Sequence, residues 1–354
     1  MTKITLKNKI TKNMVLLNQR VKAFDKLSSF LIKIEKNKTE YADFFEIIKK
    51  SYHKNKWFTE ENVLNAIKIW GKSLTKKNLS KWLRNYNLKN TKIKKIGLIL
   101  AGNIPLVGLH DIICVLLTGN KAIVKCSSKD ELLLPYLCEK LVEFDLIFKN
   151  KFVFKDKIEN FEALIATGNN TSSKYFDYYF SKYPKIIRKH RNGVAILTGN
   201  ESSSSLNDLA KDIFLYYGLG CRSVSKIYVP INYSFDKLII AIKKYSKLKH
   251  SAKYSNNYNY NKAVYLMNNI KFKDLDFFIL KEDFNIFSPV GTLHYEYYND
   301  VNSLRMKLNI EKDKIQCVTS NYKKIGNLKL GKAQSPNLWD YADNIDTLSF
   351  LTNL

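Results

Sequence analysis

Apolar positions change their spacing part-way along the 354-residue chain. Up to about residue 90 they recur as on a helix: Val63, Ala66, Ile67 and Trp70 share one face. Thr59 precedes that stripe, with Glu60 and Glu61 in the first turn, which is the pattern of a capped helix start. Gly71 reads as the point where this helix ends or loosens, and residues 79–83 as a further short amphipathic helix. From Lys95 onward, short and almost continuously apolar runs alternate with helical stretches. The strands are expected at 96–101, 122–126, 163–166 and 194–197, with helices near 106–118, 130–144 and 172–182. Runs without polar alternation suit parallel strands covered on both faces, so the pattern predicts a doubly wound α/β domain. No GxGxxG follows any of these strands. A second α/β block follows. It has a helix at 205–217, a strand at 226–230 and a helix near 234–248. The Tyr/Asn/Ser/Lys-rich stretch 249–262 reads as an exposed excursion, and β-type runs follow at 263–267, 277–280, 290–297 and 315–319.

Composition narrows the class. Hydrophobic residues make up 45% and charged residues 26%, an ordinary globular balance. The longest apolar run, 106–117, contains Gly108, His110 and Asp111 and falls short of the roughly 18 residues a membrane span needs. With no apolar leader at the N-terminus, a cytoplasmic protein is expected. Lys plus Arg minus Asp plus Glu is 59 − 32 = +27, which raises the question of nucleic acid. The excess is mostly Lys spread along the chain, beside many Asn, Ile and Tyr, and no nucleic-acid-binding motif accompanies it. The bias reads as that of an AT-rich genome, while a basic surface still suits polyanionic substrates. The five cysteines (Cys114, Cys126, Cys138, Cys221, Cys317) are odd in number and form no CxxC pair, so neither a disulfide framework nor a metal site is expected.

Of these thiols, Cys221 has the most distinctive setting, in Gly218-Leu219-Gly220-Cys221-Arg222-Ser223. Glycines allow a sharp turn and close ligand approach, and the neighbouring Arg222 favours a thiolate, as a nucleophile requires. On the turn alone, a cysteine packed as a small hydrophobe is as good a reading. Cys114 and Cys138 lie among apolar residues and read as core. Two loops after strands, Ala101-Gly102-Asn103-Ile104-Pro105 and Thr167-Gly168-Asn169-Asn170, have the small residues that let a dinucleotide approach strand ends. Each is also an ordinary turn sequence. Arg188, Lys189 and Arg191 read as a solvated basic loop, and His110 and His190 receive no role.

The order in which these features occur resembles that of the aldehyde-dehydrogenase superfamily. The Asn103 loop comes first, then Val124-Lys125-Cys126-Ser127-Ser128-Lys129, the Ala166-Thr167-Gly168 turn, and finally Cys221. More closely, the chain resembles LuxC-type acyl-CoA reductases from about residue 95 to the C-terminus. The segments that carry this are 100–106, 178–184, 213–222 and Leu338-Trp339-Asp340-Tyr341-Ala342-Asp343. The resemblance implies a helical region at 1–90, a Rossmann-type NADP(H)-binding domain at 91–199 and a catalytic α/β domain at 200–320. A C-terminal segment, 321–354, would pack back on the cofactor domain.

The resemblance also implies roles. Cys221 would take the acyl group, and Asn103, with the Cys221 backbone N–H, would stabilise the oxyanion. Lys125, Ser127 and Ser128 would lie at the adenosine ribose, Thr167, Gly168 and Asn169 near the pyrophosphate, and Asn285 at the nicotinamide ribose. Ser128 stands where many relatives carry a Glu that favours the unphosphorylated ribose, so NADPH is expected over NADH. Asn285, in Asn285-Ile286-Phe287-Ser288-Pro289-Val290, replaces another Glu. The segment 188–193 stands where hydrolytic relatives carry a general-base Glu and contains no carboxylate. Water would then attack the acyl-enzyme slowly, leaving reduction or exchange with CoA. The expected reaction is reduction of a long-chain fatty acyl-CoA to the aldehyde, with an acyl-protein synthetase or acyl carrier protein as donor partner and the oligomeric state left open. The alternatives are an oxidoreductase of the same superfamily acting on a small semialdehyde, and an acyl-carrying homologue that does not reduce.

Overall fold

The computed structural model describes residues 3–88, 92–322 and 325–354, with side chains from residue 14 onward. The chain folds into two compact units, residues 1–189 with 337–354, and residues 190–336. The expected 90/91 boundary lies outside the described residues.

The first unit opens with four helices, α1 (Lys3–Ile34), α2 (Ala42–Lys54), α3 (Glu60–Ser73) and α4 (Lys76–Leu83). Thr59 caps α3 as expected, its side chain accepting from the Asn62 N–H at 3.3 Å. Gly71 does not end that helix. It lies within α3, where a Cβ would come within 2.9 Å of Ile32 Cγ1. Its carbonyl accepts from Ser28 Oγ at 2.6 Å, so the missing side chain lets α1 and α3 approach closely.

A five-stranded, wholly parallel sheet follows, in the order β3-β2-β1-β4-β5. Its strands are β1 (Lys95–Ile99), β2 (Lys121–Lys125), β3 (Phe152–Phe154), β4 (Ala163–Thr167) and β5 (Lys185–Arg188). The helices between them are α5 (Leu109–Leu117), α6 (Leu133–Phe144) and α7 (Asn170–Tyr179). Almost every residue of α5 is buried, as its apolar sequence requires. Phe161, Leu164 and Ala166 form a separate buried cluster with Phe176 and Phe180 against them. The strand Lys185–Arg188 was not expected. Arg188 is not in a solvated loop: it is buried at the end of β5, 2.5 Å from the Asp111 carboxylate and 2.9 Å from Thr347 Oγ1. A charge can be buried here because α5 supplies its counter-ion and the C-terminal α12 (Thr347–Thr352) a further acceptor. His110 lies against the rings of Trp82 and Tyr341 and bonds the Leu338 carbonyl at 2.9 Å, tying 337–354 to this unit.

The second unit holds a six-stranded sheet in the order β11-β6-β7-β10-β9-β8, parallel except for the β8–β9 pair. Its strands are β6 (Asn192–Ile196), β7 (Val224–Pro230), β8 (Lys273–Asp274), β9 (Ile279–Glu282), β10 (Thr292–Tyr298) and β11 (Ile315–Thr319). The helices are α8 (Ser203–Phe214), α9 (Asp236–Lys243), α10 (Ala252–Met267) and α11 (Val301–Ile310). Strand β6 pairs with β7 and β11, so the chain changes sheet before residue 199. An apolar strand reads the same in either sheet, which hid the change. The stretch read as an excursion followed by a strand is, over 252–267, the single helix α10, held by buried Tyr254, Tyr258 and Tyr265.

Candidate active site

In the first unit, the loops read as cofactor contacts gather at the carboxyl ends of adjacent strands. Lys125 ends β2, Thr167 ends β4, and the Asn103 loop follows β1. Gly102 lies so close to the next loop that a Cβ would stand 2.6 Å from Ser127 Cβ, which brings these two loops together. An open cleft of about 730 Å³ lies there, lined by Ile99, Lys125, Ser127, Ser128, Glu131 and Asp156 among others. It lies where open parallel sheets bind nucleotides, and its volume suits a nucleoside-sized ligand. Lys125 Nζ donates to the Asp156 carbonyl at 2.7 Å, so it would exchange one acceptor for another on binding a ligand. Glu131 is ion-paired with Lys54. Beneath the cleft, burial pushes the Asp130 carboxyl up to about 7, against the pull of the Leu106 N–H that it accepts. Asn169 caps α7 by accepting from the Ser172 N–H at 2.7 Å. Gly168 lies under that first turn, where a Cβ would meet Phe176 and Ser172 at 2.9 Å.

In the second unit, α8 stops at Phe214, three residues short of the expected end. Tyr216, Tyr217 and Gly218 have φ of 55°, 58° and 74°, so three successive residues adopt the left-handed conformation. For two tyrosines this is strained, and strain of this kind collects at functional sites. The chain then makes a tight turn, the Ser223 N–H donating to the Gly220 carbonyl at 2.9 Å. Ser223 Oγ accepts from the Gly220 N–H at 3.1 Å and from Gln334 Nε2 at 2.8 Å. Cys221 is therefore the first central residue of a turn locked from below, and it is half-buried. Burial pushes the other four thiols up, Cys126 and Cys317 to about 12. Cys114, Cys138 and Cys317 are core residues.

The stretch before β6 runs beside this turn. The Gly193 N–H donates to the Ser223 carbonyl at 3.0 Å, and a Cβ at Gly193 would stand 2.5 Å from the Arg222 carbonyl. His190 packs edge-on against Phe287, ring centroids 5.1 Å apart. Asn285, two residues before that phenylalanine, is exposed in the loop between β9 and β10. Ser225 Oγ, two residues after the Cys221 turn, donates to the Ile286 carbonyl at 2.7 Å. The Cys221 turn, the segment 190–193 and the Asn285 loop thus all lie at the amino ends of β7, β6 and β10. Sequence reasoning missed the hydroxyl and amide of Ser223 and Gln334 that lock the turn. Gln334 is 111 residues away, and no local signal connects the two. Among the described residues, no cluster of His, Cys, Asp and Glu could hold a metal ion, and no helix is long and apolar enough to cross a membrane.

The fold is that of aldehyde dehydrogenases. Similar structures include aldehyde dehydrogenase 21 from Physcomitrella patens in complex with its product succinate, at 12% identity and TM-score 0.66, covering 95% of this chain and 84% of that one. KauB from Pseudomonas aeruginosa matches at 12% identity and TM-score 0.62, over 87% and 73%. The NAD+ complex of a Bacillus cereus aldehyde dehydrogenase matches at 11% identity and TM-score 0.60, over 87% and 73%. No curated protein matches the chain. A family profile does: the chain belongs to the LuxC acyl-CoA reductase family, whose description, "Acyl-CoA reductase (LuxC)", matches residues 33–276. That match takes in Asn103, Lys125, Thr167 and Cys221 and ends before Asn285.

Proposed function

We propose that this protein reduces a long-chain fatty acyl-CoA to the fatty aldehyde with NADPH, through a thioester on Cys221. The observation that carries the reading is Cys221 itself: a half-buried thiol at the head of a locked turn, beside a segment, 190–193, that has no carboxylate. The Cys221 sulfur attacks the thioester carbonyl, and the CoA thiol leaves with the proton that the thiol gave up. Asn103, in the role the family resemblance gives it, donates its side-chain amide to the oxyanion of the tetrahedral stage, as does the Cys221 N–H. With no carboxylate to activate water, the acyl group stays on Cys221 long enough to be reduced.

The residues of the first unit fit a nicotinamide dinucleotide. A cleft at the carboxyl ends of β1, β2 and β3 offers Lys125 as a cation and Ser127 and Ser128 as neutral hydrogen-bonding groups. Thr167, Gly168 and the capped start of α7 offer small side chains and N–H groups for phosphate. The NAD+ complex of the Bacillus cereus neighbour supports this class of cofactor. A nicotinamide cofactor held by these residues would supply hydride for the acyl carbon. The Cys221 sulfur would then leave the thiohemiacetal anion as thiolate, which frees the aldehyde, and a proton from water restores the thiol. The neutral Ser128, with Lys125 and Lys129 near it in sequence, supports NADPH by leaving room for a 2′-phosphate. An acyl-protein synthetase or acyl carrier protein would supply the acyl group, and the expected compartment is the cytoplasm.

Mass spectrometry after incubation with palmitoyl-CoA tests the reading. The wild type gains one acyl group on Cys221, NADPH discharges it as aldehyde, and Cys221→Ala gains none. An adduct on another cysteine overturns the site. An adduct that NADPH leaves in place points instead to a non-reducing acyl carrier, and turnover of small semialdehydes alone to the other superfamily reading.

A further inference from the structure

The loop between β9 and β10 has its backbone held in an unusual way. Its three successive carbonyls each accept from a buried side chain of a neighbouring strand. Lys226 Nζ, on β7, donates to the Phe284 carbonyl at 2.7 Å. His294 Nδ1, on β10, bonds the Asn285 carbonyl at 2.9 Å, and Ser225 Oγ, on β7, donates to the Ile286 carbonyl at 2.7 Å. A carbonyl can only accept, so Nδ1 of His294 carries the proton. The loop also holds itself, the Asn285 N–H donating to Asp283 Oδ1 at 2.8 Å. The Ile286 side chain is buried among Val194, Tyr228 and Leu304.

This arrangement is costly. Lys226 is fully buried and His294 is 3% exposed. Lys226 is paired with Glu296, 2.6 Å away, which Lys307 of α11 also contacts. Exposed loop carbonyls can be satisfied by water, so recruiting a buried lysine and a buried imidazole adds desolvation cost for little stability. What the arrangement supplies is a fixed loop conformation. Three held carbonyls and a buried Ile286 leave Asn285 exposed on a backbone that cannot turn away. The flanking Phe284 and Phe287 are 77% and 54% exposed.

We infer that Ser225, Lys226 and His294 are positioning residues that hold the 283–287 loop so that the Asn285 amide is presented to the nicotinamide ribose. The inference rests on the reading of Asn285 as that ribose contact, and it adds residues outside the Asn285 segment itself. Register supports it, since His294 lies directly opposite Lys226 across β10 and β7. The donors thus come from adjacent points on neighbouring strands, and moving one strand moves the loop.

The test uses the full chain and three measurements: NADPH affinity by fluorescence titration, amide hydrogen exchange over 283–288, and acylation of Cys221 by palmitoyl-CoA without cofactor. His294→Phe removes one donor and is expected to weaken NADPH roughly tenfold, as loss of one well-placed hydrogen bond does. It should also speed exchange across 284–287 while Cys221 still acylates, which shows that the chain has folded. His294→Asn, whose amide can donate from near the Nδ1 position, recovers most of the affinity and the protection. Ser225→Ala, a smaller change of volume, moves both in the direction of His294→Phe. Asn285→Ala weakens NADPH with the loop's exchange intact. If Asn285→Ala leaves NADPH affinity at the wild-type value, the ribose reading fails and the inference falls with it. If Asn285→Ala weakens NADPH but His294→Phe and Ser225→Ala do not, the ribose reading stands and the positioning role is overturned. Failure of His294→Asn to recover what His294→Phe loses overturns it as well.

Discussion

Asn103 sits half-buried in a loop that Gly102 presses against Ser127. A side chain on so constrained a loop loses little freedom when it donates, which is what an oxyanion donor needs. Asn103→Ala is expected to lower kcat about 100- to 1,000-fold, the usual cost of one oxyanion donor, with the melting temperature close to wild type. Single-turnover acylation measures it, and a wild-type rate would remove Asn103 from the mechanism. Ser128 lines the cleft beside Lys125. Ser128→Glu would set a carboxylate against a 2′-phosphate and is expected to shift the NADPH-to-NADH preference by roughly tenfold or more toward NADH. Steady-state kinetics with both cofactors measures it, and an unchanged ratio would place the ribose elsewhere.

At the scale of elements, helix α8 carries Asp212, which ties a later segment to it by accepting from the Gly331 N–H at 2.6 Å and the Ala333 N–H at 3.0 Å. Burial outweighs these two bonds and raises its carboxyl from 3.8 to about 7. A carboxyl raised in the folded state contributes stability that is complete below its unfolded pKa and is lost as pH rises through the folded one. The advantage of wild type over Asp212→Asn should therefore shrink between pH 5 and pH 8.5, a window that spans the folded value of about 7. Urea unfolding of both proteins at the two pH values measures this, and a constant difference would mean that Asp212 is ionised throughout. The same scale shows what the sequence could disclose. Strand β4 was legible over 163–166 because both its faces are apolar there. Helix α10 was not, because its buried residues are tyrosines set among Asn and Lys, a composition that reads as surface. The tight turn at Cys221 was legible from the glycines that precede it. Gln334 under it and His294 behind Asn285 were not, because strand register and long-range contacts brought them there.

For the molecule as a whole, a net charge of +27 surrounds a reaction whose proposed substrate and cofactor are both polyanions. Encounter should then be aided by long-range attraction that salt screens. Raising NaCl from about 50 to about 500 mM is expected to lower kcat/KM for acyl-CoA several-fold while kcat changes little. A kcat/KM independent of salt would show that the charge is not directed at the cleft. The buried pair of Arg188 and Asp111 bears on how the chain is anchored. Arg188 opens the segment 188–193, which the family resemblance sets where hydrolytic relatives would carry their base. Here the first residue of that segment binds a carboxylate on α5 and a hydroxyl on α12, within the first unit. Replacing Arg188 with Glu would set two carboxylates side by side without water, where breaking such a pair already costs about 3–5 kcal/mol. What a substitution at Arg188 releases first is the C-terminal α12, because the same guanidinium that meets Asp111 also holds Thr347.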